Sequence, residues 1–210
     1  MANNVGDTTF FLYLTEASTC PLPNDQRSDS HASDLDTIVL GGGCFWCTEG
    51  VFLRVKGVKA VESGYCNGHV IAPTYEQVCT GESGHVEVVR VTFDTREIQL
   101  SQILEVFFSV HDATTLNQQG NDVGPQYRSG VYLTRSEQLP IVTAFIADLA
   151  SREQALRGRI TTEVVPLHNY STAESFHQQY YDRFPQAGYC DYVIAPKIAK
   201  FITAHPDLVA

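Results

Sequence analysis

A reactive thiol needs surroundings that favour its anion, and the stretch GGGCFWCTEG, residues 41–50, offers them to Cys44. Upstream, Thr37, Ile38, Val39 and Leu40 form an apolar run long enough for a buried strand, which the three glycines end. Downstream, Thr48, Val51, Phe52 and Val55 recur at i, i+3, i+4 and i+7, the apolar face of a helix, and Gly57 stands where that helix would stop. Cys44 is therefore expected at a strand-to-helix turn, where unpaired N–H groups and the positive end of the helix dipole lower a thiol pKa. A free cysteine is more often a small buried hydrophobe. The glycines, the helix start and the aromatic neighbours Phe45 and Trp46 favour a nucleophile here.

Glu87 is the most informative carboxylate. In the run HVEVVRVTF, residues 85–93, alternation places it on the same face as Val89, Val91 and Phe93, in apolar surroundings. Desolvation there raises a carboxyl pKa and suits it to general acid work. The competing reading is a rim glutamate satisfied by solvent or by Arg90. Tyr75, Asp122, Tyr127 and Arg128 lie in loops among Gly, Pro and Asn, where functional polar groups are often held, although each taken singly reads more readily as a structural loop tie. Cys47 makes a C-x-x-C with Cys44, which in a reducing compartment means a redox pair or half of a zinc site. Zinc would need Cys66 and Cys79, whose spacing is not that of a second knuckle, so no metal is expected.

These residues need elements to hold them. At 210 residues the chain can bury one core, expected as a single domain over 36–210. Residues 1–35 are rich in Asn, Asp, Ser and Thr and read as a partly disordered arm; an apolar patch at 10–13 is a candidate for docking on the domain, and Cys20 is incidental. Strands are expected near 37–40, 58–65, 85–93, 130–134 and 160–165. Helices are expected after Cys44, after Ser101 as cap, from about Ser136 with Val142, Phe145, Ile146 and Leu149 inward, and from Ser171, which has capping-box spacing with Glu174. The polar stretch 111–129 is too long for a simple connector and should carry function. The order strand, helix, strand, strand, helix, strand is the split βαβ arrangement. The expected fold is α+β: a two-layer sandwich with a mixed sheet around a ferredoxin-like βαββαβ core, plus a C-terminal extension.

Charge narrows the partners. With 24 acidic against 14 basic residues the net charge is −10, and no basic stripe exists for nucleic acid or an anionic membrane. No 18-residue apolar run occurs and the first residues lack a secretory pattern, so a soluble cytoplasmic protein is expected. Six cysteines in that setting mean redox chemistry before structural disulfides.

Taken together, the motifs resemble those of the A-type peptide methionine sulfoxide reductases: GCFW at 43–46, SGYCNG at 63–68, PTYEQVCTGESGHVEVV at 73–89, QGNDVGPQYRS at 119–129 and GYC at 188–190, in that family's order and spacing. The similarity spans roughly residues 36–202. It implies that the Cys44 thiolate attacks the sulfur of a methionine S-sulfoxide, free or in an oxidised protein, leaving methionine and a Cys44 sulfenic acid. It further implies that Glu87, Tyr75 and Tyr127 protonate or hydrogen-bond the sulfoxide oxygen, that Phe45 and Trp46 wall the methyl slot, and that Asp122 lies near that oxygen. Cys190 would resolve the sulfenic acid to a disulfide, which thioredoxin, or dithiothreitol in vitro, reduces, without a bound cofactor. A monomer is the default state. The similarity ends shortly before the chain does, so no fused domain for the other epimer is expected.

The chain departs from the family pattern at Cys47, where glycine is common, and at Cys66, Ala72 and Pro125. Cys47 stands three residues from the nucleophile, and a bridge needs Cα atoms within about 7 Å, so it rivals Cys190 as resolver. A reading from another class, a thiol-disulfide oxidoreductase using Cys44 and Cys47 alone, leaves Glu87, Tyr75 and Tyr127 unexplained. So does a zinc-stabilised interaction module.

Overall fold

The computed structural model describes residues 34–210. The arm expected over residues 1–35, with its apolar patch and Cys20, therefore lies outside the described residues except for Asp34 and Leu35. Residues 34–210 fall in one compact unit.

The apolar run after Asp34 forms β1, Leu35–Gly41, which the glycines end as expected. α1, Phe45–Phe52, follows directly, then β2, Val58–Cys66, a one-turn helix α2, Tyr75–Cys79, and β3, Val86–Asp94. α3, Leu100–Val110, leads into a long loop that holds a small hairpin, β4 (Gln118–Gln119) and β5 (Asp122–Val123), and a 3₁₀ turn at Pro125–Tyr127. β6, Gly130–Leu133, and α4, Gln138–Arg152, come next. The tail supplies β7 (Glu163–Pro166), β8 (Ser171–Thr172), a short α5 (Tyr180–Arg183) and a π-helical turn, Cys190–Ile194, that runs into α6, Ala195–Ala204.

The architecture is α+β, built on a mostly antiparallel six-stranded sheet in the order β7-β6-β1-β3-β2-β8. β1 pairs antiparallel with both β3 and β6, and β3 pairs antiparallel with β2; only β6 and β7 run parallel. Alternation assigns the two faces. Ile38, Leu40, Val89, Val91, Phe93 and Val131 enter a large cluster with Phe52, Ile103, Phe107, Ile194 and Phe201 from the helices. Val39, Val86, Val88 and Tyr132 enter a smaller cluster, covered by Val165, Leu167 and Tyr170. Burial on the helical face is what fixes α1 against the sheet, because a one-residue slip of β3 would turn Val89, Val91 and Phe93 outward.

Several local expectations need correction. Ser171 does not cap a helix: Ser171 and Thr172 form β8, which pairs with Gly64 and Tyr65 of β2. Glu174 is unavailable for a capping box because it accepts hydrogen bonds from the Tyr65 hydroxyl and the Tyr75 amide. α3 is capped by Gln99, reciprocally with Gln102, and not by Ser101. Arg90 pairs with Glu62, not with Glu87. On α4, Val142 and Leu149 are buried while Phe145 and Ile146 are only partly so.

Candidate active site

Gly43 makes the turn that presents Cys44. Its φ of +90° lies in the left-handed region, and a Cβ there would sit 2.5 Å from Cγ of Gln119. Cys44 takes the N-cap position of α1 and is 8 % exposed, so the sequence placement at a strand-to-helix turn holds. The next amide, of Phe45, donates to Oε2 of Glu87 at 3.1 Å. The helix start thus holds the carboxyl group beside the thiol.

Glu87 points into the helical face of the sheet and is 1 % exposed. Burial pushes its pKa up to about 8, only partly offset by the Phe45 amide. With it, Cys44, Phe45, Trp46, Tyr75, Asp122, Tyr127 and Tyr189 line a cavity of about 200 Å³. Burial keeps the hydroxyls of Tyr75, Tyr127 and Tyr189 protonated, so all three serve as donors. Six residues singled out from sequence besides Cys44 are therefore brought to one hollow: Glu87, Tyr75, Tyr127, Asp122, Phe45 and Trp46.

The thiols divide differently. Cys47, buried one turn into α1, hydrogen-bonds with Cys44, and its Sγ lies 3.9 Å from the Tyr189 hydroxyl. That bond to Cys44, helped by the charge of Lys197, lowers the Cys47 thiol to about 7 against the cost of burial. Burial raises the Cys44 thiol well above its ordinary value, reinforced by the hydrogen bond to Cys47 and by Glu87. The expected lowering at Cys44 alone is thus replaced by a shared ionisation: the pair gives up one proton readily and holds the second. Cys190 is fully buried at the start of the π-helical turn, in the helical-face cluster and outside the cavity lining. Cys66 lies on the opposite face of the sheet and Cys79 is exposed on α2, so the four cysteines of a zinc site are not assembled. Among the described residues no group of three or more potential ligands could hold a metal ion.

Arg128 is a structural tie, donating to Glu163 and to the carbonyls of Gly84 and Pro125. Sequence reasoning missed Tyr189, whose hydroxyl donates to Oδ2 of Asp122 at 2.8 Å, and the support of Trp46. The indole stacks on Tyr180 at 3.7 Å between ring centres and donates to Nδ1 of His177 at 3.2 Å. The one available signal was aromatic enrichment in the tail, at Tyr180, Tyr181 and Tyr189, in a segment without periodicity.

Comparison with known proteins agrees with this geometry. A family model described as peptide methionine sulfoxide reductase matches residues 36–207. Peptide methionine sulfoxide reductase MsrA of Trichodesmium erythraeum is 52% identical over 176 residues, covering 84% of this chain and 99% of its own. The Saccharolobus solfataricus MsrA is 47% identical over 175 residues, 83% of this chain and 97% of its own. Among solved structures, methionine sulfoxide reductase A of Corynebacterium diphtheriae superposes with a TM-score of 0.70 at 34% identity, covering 76% of this chain and 79% of that one. Reduced Mxr1 of Saccharomyces cerevisiae gives 0.67 at 31% identity, covering 74% and 89%. A match of this extent, over the segment that builds the cavity, means that the chain belongs to the peptide methionine sulfoxide reductase family.

Proposed function

We propose that this protein reduces methionine S-sulfoxide, free or within oxidised proteins, to methionine. The observation that carries the reading is a buried carboxyl group at Glu87, protonated up to about pH 8, sharing one small cavity with a cysteine and three hydroxyl donors. The sulfoxide sulfur becomes electrophilic as its oxygen gains a proton, so acid and nucleophile must face the same atom pair. Cys44 attacks sulfur as Glu87 delivers a proton to the oxygen, with Tyr75 and Tyr127 donating to it. The hydroxyl then passes from the methionine sulfur to the Cys44 sulfur as the bond between the two sulfurs breaks, so methionine leaves with that electron pair and Cys44 is left as sulfenic acid. Phe45 and Trp46 wall the methyl group, and Asp122 fixes the Tyr189 hydroxyl at the cavity edge. General acid help of this kind is worth about 10²–10⁴ in rate.

A second thiol then attacks the sulfenic sulfur, forming a disulfide and releasing water. Cys190, the residue matching the family's common resolver, is supported by its burial in the same cluster as Cys44 and Cys47. Cys47 is favoured as the thiol that acts first by its place three residues after Cys44 at the same helix start, with its amide donating to the Cys44 carbonyl at 3.1 Å. Thioredoxin, or dithiothreitol in vitro, closes the cycle by dithiol exchange, with no bound cofactor. Thioredoxin-coupled turnover that survives Cys190→Ser and is lost in Cys47→Ser assigns resolution to Cys47, and the reverse pattern assigns it to Cys190.

The remaining features of this reading are a ferredoxin-like core, supported by the order β6-β1-β3-β2, a single reductase domain over 36–210, and a cytoplasmic monomer. The deciding experiment gives reduced protein both sulfoxide epimers of N-acetylmethionine with dithiothreitol and separates them by chiral chromatography. Consumption of the S epimer alone, abolished in Cys44→Ser, is expected. Consumption of neither epimer, with reduction of a model disulfide, would transfer the function to the C-x-x-C pair.

A further inference from the structure

Trp46 owes its position to a segment more than 130 residues away in sequence, and that segment adopts a conformation it would not choose alone. Gln179 has φ +53° and ψ 38°, the left-handed region, which is unfavourable for a residue with a side chain. Directly after it, Tyr180 lays its ring on the indole, 7° from parallel. The left-handed turn is what swings Tyr180 into that stack.

What holds the turn is a carboxylate from the helix that bears Trp46. Glu49 is 1 % exposed; its Oε1 accepts the Gln179 amide at 2.8 Å and its Oε2 the Tyr180 amide at 3.2 Å. Both oxygens of a buried carboxylate are thus spent on two successive N–H groups, the donors that a left-handed residue and its successor turn to one side. Glu49 stands three residues after Trp46 and four after Phe45, on the same side of α1, so one rigid helix carries the indole and grips the backbone behind its lid.

We infer that Glu49 is a positioning residue for sulfoxide binding: its carboxylate clamps the amides of Gln179 and Tyr180, and so holds Tyr180 against Trp46 to keep the methyl slot closed to water. The inference rests on the methionine sulfoxide reading of the cavity. Its effect is on the slot and not on the chemistry, because Glu49 is absent from the cavity lining, while Glu87 is held by the Phe45 amide and Tyr75 by Glu174.

Trp46 is the one tryptophan of the chain, so its fluorescence reads the slot without any substrate. The test compares wild type with Glu49→Gln, whose amide keeps the shape but turns an N–H at one of the two backbone donors. Expected are a red-shifted emission, stronger acrylamide quenching, and a KM for N-acetylmethionine S-sulfoxide raised about five- to tenfold with kcat changed less than about threefold, the scale of one lost aromatic pair. Adding Gln179→Gly to Glu49→Gln removes the left-handed penalty and should restore most of both signals. Should Glu49→Gln fail to fold, Glu49→Asp, one methylene short of the two amides, takes its place with the same expectations. Unchanged quenching and unchanged KM in a folded variant overturn the clamp; a merely structural Glu49 would lower the melting temperature and leave both untouched. If wild type consumes neither epimer, the substrate reading fails, and the quenching comparison still decides the clamp.

Discussion

At Glu87 the carboxyl keeps its proton until about pH 8, while the Cys44–Cys47 pair releases its first proton near 7. In the proposed mechanism sulfenic acid formation needs the pair ionised and Glu87 protonated, so the single-turnover rate should rise through pH 7 and fall above pH 8. Glu87→Gln should lower that rate about 10²–10³-fold and remove the falling limb, which stopped-flow Trp46 fluorescence can follow. The same shift has a stability sign. Between the ordinary carboxyl value of 4.5 and about 8 the folded state binds more protons than the unfolded one, so wild type loses stability as pH rises through that window. Glu87→Gln has no charge to bury, so its melting temperature should rise relative to wild type at pH 9; equal or lower relative stability would contradict the burial argument. Ala72 gives a simpler case: at φ +46° it pays for a conformation that glycine or asparagine tolerates. Ala72→Gly should stabilise by about 0.5–1 kcal/mol in denaturant titration. The face that Glu87 takes was legible from alternation, because a strand's period fixes it, while alternation weighs a role in chemistry and a place at the rim evenly. Ionisation of the thiols was not, since it depends on Cys47 turning its sulfur to Cys44.

Elements in the first two-thirds of the chain follow periodicity closely, and β1, α1, β2, β3 and α3 appear within a few residues of their sequence positions. The tail does not, because its backbone is held by side chains of distant residues. The Gln178 side chain completes the edge of β2 by accepting from the Ser63 amide and donating to its carbonyl. Glu174 joins Tyr65 of β2 to the first residue of α2, and that contact is why the Ser171/Glu174 pattern misleads. No local pattern records such ties. Glu174 also sets where Tyr75 enters the cavity. Glu174→Ala should free α2 and lower kcat about ten- to a hundredfold, through a donor displaced from the sulfoxide oxygen, with less effect on KM. An unchanged kcat in steady-state assays would show that the Thr74 capping box positions Tyr75 unaided.

Over the whole molecule the sheet separates two kinds of cysteine. Cys44, Cys47 and Cys190 share the helical face, and Cys66 is sealed beneath Val165, Leu167 and Tyr170 on the other. Burial raises its thiol, so it is a packing residue, and Cys66→Ala should leave thioredoxin-coupled turnover unchanged at a cost of about 1 kcal/mol in stability. A fall in turnover would mean that electrons cross the sheet. The family resemblance was legible because its motifs fall on the strands and loops that surround the cavity. One further consequence lies in the pairing of β8 with β2, which joins Ser171 to Tyr65. During synthesis the long edge of β2 waits for more than a hundred residues before its partner leaves the ribosome. The same late segment delivers Glu174, His177 and Tyr180 to Tyr75 and Trp46. The walls of the pocket therefore close late, and a nascent chain carries Cys44 without an assembled site until residues 171–180 have emerged.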